Sequence, residues 1–302
     1  MRATVVIFTH EQGPLLNLRA ARREAEGRLV LLLDASRTPA RQAHVRREAA
    51  RHDIVRIPTP GASLAAQRNV ALARADAPAV AFLDDDCLPR PGWLAALEGA
   101  LDHVEVATAR VLTPPALAGP YARFFDQDHG PRPRLFTRAD LRILPDAPFE
   151  AYAGDSGVAP WAAGTGSSFA CRVDAARRVG GFREDLGVGT PALSGEDVEF
   201  FFRALHAGGT LAYVPAAQVE HHHVRRDARD FLRTAYAYAW GGREFLRRAV
   251  RLKPGYAVVL LGRPVQLLLL AAKYRAGGDA ETAAMCLSAF RGWVGLPRRQ
   301  PA

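Results

Sequence analysis

The stretch Ala79-Val80-Ala81-Phe82-Leu83-Asp84-Asp85-Asp86 constrains the fold of this chain more than any other. An unbroken apolar run of strand length reads as a buried strand of a parallel sheet. Three adjacent anions repel one another and contribute nothing to a packed core, so their place at the end of the run asks for a cation. Hard divalent ions prefer carboxylate oxygens, and magnesium bridges one or two carboxylates to substrate phosphates. In open parallel sheets, ligands bind beyond the carboxyl ends of the strands. The competing reading is a solvated acidic turn ahead of Pro89.

The surrounding chain alternates strand and helix patterns. Ala3–Thr9, Leu29–Leu33, Ile54–Ile57 and Ala79–Leu83 are short apolar runs. Helical patterns lie between them over Pro14–Ala25, Pro39–Arg51 and Leu64–Arg74, the last with Ser63 as its N-cap. Such alternation predicts βαβ units and a parallel sheet. Pro91 suits the first turn of a helix through Leu101, and Val104–Leu112 reads as a further strand. From Pro114 to Pro160 prolines and charges are frequent and periodicity fades, which reads as a long loop region with short elements, a candidate lid. Order returns at Trp161–Ala170. With 302 residues, 49% of them hydrophobic, the chain has enough apolar content for one large or two coupled domains.

Two further segments carry chemistry. In Ser194-Gly195-Glu196-Asp197-Val198-Glu199-Phe200-Phe201-Phe202-Arg203, residues Val198, Phe201, Phe202 and Leu205 fall at helical spacing. Ser194 and Asp197 have the spacing of a capping box, so one reading of these acids is simple complementation of the helix dipole. The other is a carboxylate fixed at a helix start and aimed into a cleft, where it accepts a proton. In Val219-Glu220-His221-His222-His223, alternation along an extended segment places His221 and His223 on one face. Neutral imidazoles are common metal ligands, although adjacent surface histidines often bind nothing.

Forty basic residues against 31 acidic ones give a net charge of +9, with Lys253 and Lys273 the only lysines. That balance suits anionic partners such as nucleoside diphosphates or acidic lipid. Nucleic acid is not expected, because no aromatic-basic recognition motif accompanies the charge. Cys87, Cys171 and Cys286 show no paired spacing, which argues against a disulfide framework or a zinc site. The chain opens at once on a strand with no signal peptide, so a cytoplasmic location is expected, with the inner face of the cell membrane as the alternative. Tyr256–Ala272 holds two apolar blocks separated by Gly262-Arg263-Pro264-Val265-Gln266, and this interruption argues against a spanning helix. Basic residues on both sides fit peripheral attachment to an anionic membrane; a packed helical hairpin or a homodimer contact is the rival.

The order of these features resembles the inverting nucleotide-sugar glycosyltransferases of the GT-A fold, family two, over about residues 3 to 248. Val5-Val6-Ile7-Phe8-Thr9-His10-Glu11 is similar to the family's opening strand and nucleotide-contacting turn. Leu33-Asp34-Ala35-Ser36 resembles the second-strand motif, and Ala65-Ala66-Gln67-Arg68-Asn69 the Ala-Arg-Asn helix beside the donor. Phe82-Leu83-Asp84-Asp85-Asp86, with Pro91 and Trp93 following, resembles the Asp-x-Asp segment. Gly180-Gly181-Phe182-Arg183-Glu184-Asp185-Leu186-Gly187 and then Gly195-Glu196-Asp197 resemble the acceptor-side signature, and His221-His222-His223 the His-x-His element.

The resemblance implies a mixed, mainly parallel α/β sheet flanked by helices. The expected catalytic domain is 1–248, with a nucleotide-binding half of about 1–113 and an acceptor half of about 114–248; 249–302 form a helical C-terminal extension. It implies a Mg²⁺ or Mn²⁺ ion held by Asp86 and Asp84, with His221 and His223 as further ligands. Thr9, Glu11, Asp34, Arg68, Asp84 and Asp85 are then the donor-binding residues, Asp34 holding the base. Asp197 is the expected general base, with Glu196 as its rival. The implied donor is a nucleoside-diphosphate sugar and the acceptor an unidentified hydroxyl, lipid-linked in one version, in cell-envelope glycan synthesis. Two rivals stand beside this: a phosphohydrolase using Asp84 as nucleophile, disfavoured because the motif is not on the first strand, and a non-catalytic relative that kept the fold.

Overall fold

The apolar runs become strands of one sheet. The computed structural model describes residues 1–117, 142–143, 150–153, 164–223, 225 and 227–296. Its strands are β1 (Ala3–Thr9), β2 (Val30–Asp34), β3 (Val55–Pro58), β4 (Ala79–Asp84), β5 (Cys87–Pro89), β6 (Val106–Leu112), β7 (Arg142–Ile143), β8 (Glu150–Ala153), β9 (Ser168–Arg172) and β10 (Thr210–His221). They pair in the order β3-β2-β1-β4-β9-β6-β10-β8-β7, with β5 beside β10. β1 runs parallel to both β2 and β4, and its register sets Thr9 against Asp34 and Phe8 against Asp84. Three polar strand ends therefore meet at one edge, where the connection turns from one side of β1 to the other. This is the switch point at which open α/β sheets bind ligands.

Each face of the sheet is covered, which is why the strands read as continuous apolar runs and not as alternating ones. Val5 and Ile7 enter one core with Leu32, Leu83 and Trp93, while Val6 and Phe8 enter the other with Phe82, Phe169 and Phe200. The sheet is mixed because β9 inserts antiparallel between β4 and β6.

The helices are α1 (Leu18–Ala25), α2 (Pro39–Arg51), α3 (Leu64–Arg74), α4 (Trp93–Ala100), α5 (Val173–Arg178), α6 (Glu196–His206), α7 (Ala228–Leu252), α8 (Ala257–Ala276) and α9 (Ala280–Val294). Sequence boundaries hold for α2 and for α3, where the Ser63 side chain accepts from the Ala66 amide at 3.2 Å. α1 starts later than Pro14 because the chain before it is pulled across the end of β4. The Leu16 amide donates to the Asp85 carbonyl at 3.0 Å, and Asn17 Nδ2 donates to the carbonyls of Asp84 and Cys87 at 2.7 and 3.0 Å. α4 starts at Trp93, after Gly92 takes φ +84. The segment Pro114–Pro160 and the residues Trp161–Ala163 lie outside the described residues apart from 114–117, 142–143 and 150–153.

Two expectations are corrected. No capping box forms at α6: its N-cap is Gly195 at φ +95, and Ser194 Oγ instead donates to the Ala237 carbonyl on α7 at 2.9 Å. The tail is not interrupted at Pro264, since α8 runs unbroken for 20 residues. A proline within a helix orphans the carbonyl four residues earlier. Here that carbonyl belongs to Leu260, and the Trp293 indole of α9 donates to it at 2.9 Å. α7 is a 25-residue helix running through position 248. Phe202 of α6 packs with Phe231, Phe245, Tyr256, Leu267, Met285 and Trp293, joining the C-terminal helices to the sheet through α6.

Candidate active site

The carboxylate run sits where β4 ends, and its three members have different surroundings. Asp85 is buried and accepts a hydrogen bond from Thr9 Oγ1 at 2.5 Å. Burial pushes its carboxyl up to about 6, against the opposing effect of the Thr9 bond. Asp84 is raised well above the usual carboxylate range, first by burial and then by the charge of Asp86. For Asp86, burial is outweighed by the His221 hydrogen bond and by the charges of His221 and Arg225, so its carboxyl lies below the ordinary value. Burial thus disfavours the charged forms of Asp84 and Asp85, while His221 and Arg225 favour that of Asp86.

His221 lies at the end of β10, opposite Cys87 in the ladder, and its Nε2 is 3.2 Å from Asp86 Oδ2. The His223 ring stands edge-on at 5.8 Å from His221, whereas His222 turns away, 3.4 Å from Glu220. Burial and the charges of Arg225 and His221 bring His223 down to about 4, so it is neutral near pH 7, and its Nδ1 has no hydrogen-bond partner among the described residues. Ligand atoms of Asp86, Cys87 and His221 lie within 4.8 Å of one another. Burial raises the Cys87 thiol far above its normal range, so it stays protonated and is a poor ligand for a hard cation. Carboxylate oxygen with imidazole nitrogen fits a divalent metal ion.

The other half of the site is built on α6. Asp197 is partly exposed; its Oδ2 accepts from the Gly166 amide at 2.6 Å and its Oδ1 from the Val198 amide at 2.8 Å. Glu196, one residue earlier, points inward and is 4% exposed. Burial raises its pKa, with Arg68 opposing the rise from 2.7 Å away. The two halves touch through one dipeptide: Gly166 donates to Asp197, and the Ser167 carbonyl accepts from the Asp84 amide at 3.0 Å.

The remaining residues singled out in the sequence are spread around this centre. Glu11 accepts from Thr38 Oγ1 at 2.5 Å and from the Arg37 and Thr38 amides at 2.8 and 3.2 Å, bonds that hold its carboxyl below the usual range. Asp34 is buried, accepting from Arg56 Nε at 2.7 Å and from the Ser36 amide at 2.9 Å. Arg68 is fully buried beneath the site.

Sequence reasoning missed three contributors. Arg41 on α2 donates to Thr9 Oγ1 at 3.2 Å and to the Gly13 carbonyl at 2.5 Å, pinning the first strand turn. Arg225 places positive charge beside Asp86, and its Nη2 is 3.4 Å from the Tyr238 hydroxyl on α7. Tyr238 is half exposed and faces the carboxylates of Asp197, Asp84 and Glu196 as well as Arg225. Only the packing of α7 against α6 brings it there, and no local pattern announces that.

Residues 79–290 match the family model described as Glycosyl transferase family group 2, and residues 28–114 match Glycosyl transferase family 2. The chain is 35% identical over 170 residues to the pre-mycofactocin glycosyltransferase of two Mycobacterium tuberculosis strains; the match covers 56% of this chain and 32% of the relative. The matched region thus spans about a third of the length of these curated relatives. Among solved structures, S. aureus TarS 1-349 aligns with a TM-score of 0.51 at 14% identity, covering 99% of this chain and 93% of that one; it has also been solved with UDP and with UDP-GlcNAc. GalNAc-T7 with UDP, GalNAc and Mn²⁺ aligns with a TM-score of 0.51 at 16% identity, covering 78% of this chain and 49% of that one. At such identities the likeness establishes the fold, a GT-A mixed α/β sheet flanked by helices.

Proposed function

The chain belongs to glycosyl transferase family group 2, and on that premise we propose that it is an inverting transferase moving a sugar from a nucleoside-diphosphate sugar to an acceptor hydroxyl. The observation that carries this reading is the Gly166-Ser167 dipeptide, which binds Asp197 on one side and the backbone of Asp84 on the other. A proton acceptor and an anion-rich strand end are thereby held next to one another at the sheet's switch point.

Asp197 accepts the proton of the acceptor hydroxyl. The acceptor oxygen bonds to the anomeric carbon while the bond from that carbon to the diphosphate oxygen breaks on the opposite face, so the configuration inverts. One carboxylate suffices and no second one is needed as nucleophile, in contrast to retaining glycosidases. Two backbone amides bind Asp197 and leave it partly exposed, whereas Glu196 is locked inward by Arg68. This favours Asp197 over Glu196 as base. Asp86 and His221, with Asp84 and His223 beside them, would hold a divalent ion, which when bound supplies positive charge to the departing diphosphate. Arg225 adds fixed positive charge on the same side. Thr9, Glu11, Asp34 and Asp85 shape the nucleotide end of the cleft, Glu11 and Asp34 by ordering the turns that follow β1 and β2.

Residues after about 251 serve location in this reading. The helical segment Pro254–Ala276 is long and apolar enough to cross a membrane, and little of it is buried within the fold. Val258, Leu261, Val265, Leu268 and Leu269 are 43–73% exposed at helical spacing on α8. Arg251 and Lys253 precede this face, and Lys273 and Arg275 follow it. An apolar stripe between basic ends matches an anionic bilayer surface, which would also bring a lipid-linked acceptor of cell-envelope type within reach.

Calorimetry with UDP, GDP and dTDP, with Mn²⁺ and with EDTA, tests the donor and metal claims together. Metal-dependent binding of one nucleotide, with turnover of its sugar conjugate, supports the reading. Binding to none, or binding untouched by chelation, refutes the metal-bridged donor, and binding without turnover favours a non-catalytic relative. Flotation with anionic and neutral vesicles tests the location; binding to neither, with a stable dimer in solution, would assign the α8 face to a second copy.

A further inference from the structure

We propose that Arg68 is a positioning residue for Asp197, working from inside the core and not on the donor; this rests on the reading of Asp197 as the general base. Arg68 is fully buried on α3, so its guanidinium cannot reach a diphosphate in the cleft. It is spent on two partners: Nη1 donates to Glu196 Oε1 at 2.7 Å and Nη2 to the Gly166 carbonyl at 2.9 Å. Those partners flank the base in two senses. Glu196 is its chain neighbour, and Gly166 is the residue whose amide binds its carboxylate. One side chain thus fixes both segments whose relative placement aims Asp197.

The surroundings make this a rigid fixture. The guanidinium carbon lies 5.4–5.9 Å from the ring centroids of Phe8, Phe82, Phe169 and Phe182. Such a cage holds the cation by its faces and excludes water, leaving the ion pair unscreened. The next residue does the same work on the neighbouring loop: Asn69 Nδ2 donates to the Phe182 carbonyl and its Oδ1 accepts from the Phe182 amide, both at 2.8 Å. Close packing leaves no play. A Cβ on Gly166 would meet Asp197 Oδ2 at 2.6 Å and Arg68 Nη2 at 2.9 Å, and one on Gly187 would meet Glu196 Oε2 at 2.5 Å.

Stability alone does not account for the pair. Replacing a buried ion pair with apolar side chains of similar volume is often neutral or stabilising, whereas removing one partner strands a charge. A phenylalanine-lined core would accept such a swap. What the swap cannot supply is the bond to the Gly166 carbonyl and the register it imposes.

The experiment follows from that asymmetry. The double variant Arg68→Met/Glu196→Leu is expected to unfold within a few degrees of the parent and to bind UDP with Mn²⁺ within about threefold of its affinity. It should release UDP from UDP-GlcNAc at least about 30-fold more slowly, a loss in kcat with donor KM unchanged. Arg68→Lys, which keeps the charge but not the fork, should fold and fall between the two. Activity of the double variant within threefold of the parent would reduce the pair to packing. A tenfold loss of UDP affinity in Arg68→Lys would make Arg68 a donor contact; either result overturns the proposal. If the parent itself releases no UDP, UDP-GlcNAc is not its donor, the transferase reading is tested by the nucleotide panel above, and amide exchange then decides. Exchange at residues 164–167 and 195–198 should rise at least about tenfold in Arg68→Lys while α2 stays unchanged, and unchanged exchange at those residues refutes the positioning role.

Discussion

Gly166→Ala places one methyl group between Asp197, the proposed base, and its support, and its effect can be worked from distances. The new Cβ would stand 2.6 Å from Asp197 Oδ2, 2.7 Å from Asp197 Cβ and 2.9 Å from Arg68 Nη2. Ordinary contact begins near 3.4 Å, so Asp197 must retreat by about 0.8 Å or the loop must lift by as much. Arg68 cannot yield, being enclosed by four phenylalanine rings. Overpacking of this kind costs about 1–3 kcal/mol of stability. A displacement of about 1 Å at a reacting group costs roughly 10²-fold in rate. We therefore expect Gly166→Ala to stay folded with a lowered melting temperature, to bind the same nucleoside diphosphate and metal as the parent, and to lose about 10²-fold in kcat. Calorimetry gives the first two quantities, and a coupled assay of nucleoside-diphosphate release from the accepted sugar nucleotide gives the third. A folded variant whose kcat stays within threefold of the parent would refute the claim that the Gly166–Asp197 contact aims the base.

Three further outcomes are expected. Asp197→Asn keeps an acceptor for one of the two backbone amides, so it should fold and bind nucleotide while losing at least about 10²-fold in turnover; full activity would move the base elsewhere. His221→Ala should raise the Mn²⁺ concentration needed for half-maximal stabilisation by UDP at least about tenfold, and His222→Ala by less than threefold, as thermal shift would show. The hydrogen bond from Arg183, and then that from Arg248, holds Asp185 down at about 2. Its contribution is therefore present above the unfolded value near 3.8 and lost as pH falls through about 2. Because the side chain is half exposed, this is worth less than about 1 kcal/mol; urea midpoints from pH 5 to 2 should fall slightly more for the parent than for Asp185→Asn.

The strand ends were legible because their signal is local: an apolar run stops at a polar residue, and Thr9, Asp34 and Asp84 each mark such a stop. The pairing of His221 with His223 was legible for the same reason, through alternation. Roles that depend on distant partners were not. Arg68 reads as a donor contact on the helix beside the nucleotide, because its partners Glu196 and the Gly166 carbonyl are remote in the chain. Ser194 has the spacing of a cap, but its hydroxyl is taken by the Ala237 carbonyl, more than 40 residues further along. Pro264 reads as a break because the rescue of the Leu260 carbonyl comes from Trp293 on another helix. The antiparallel direction of β9 follows from where the chain returns to the sheet, which its own five residues do not encode.

That direction of β9 bears on how the product leaves. β9 is hydrogen-bonded to β4 over five residue pairs and to β6 over three, so the two halves of the sheet share one continuous ladder. Enzymes whose two lobes meet across a linker can open like a clamshell; here that motion would tear the ladder. The sheet is expected to behave as a fixed floor, and on the proposed reading any traffic of nucleotide is regulated by what lies above it. Rate limits on turnover, if set by release, would then respond to changes in the loops and in α7, and be insensitive to substitutions that stiffen the β4–β9 seam.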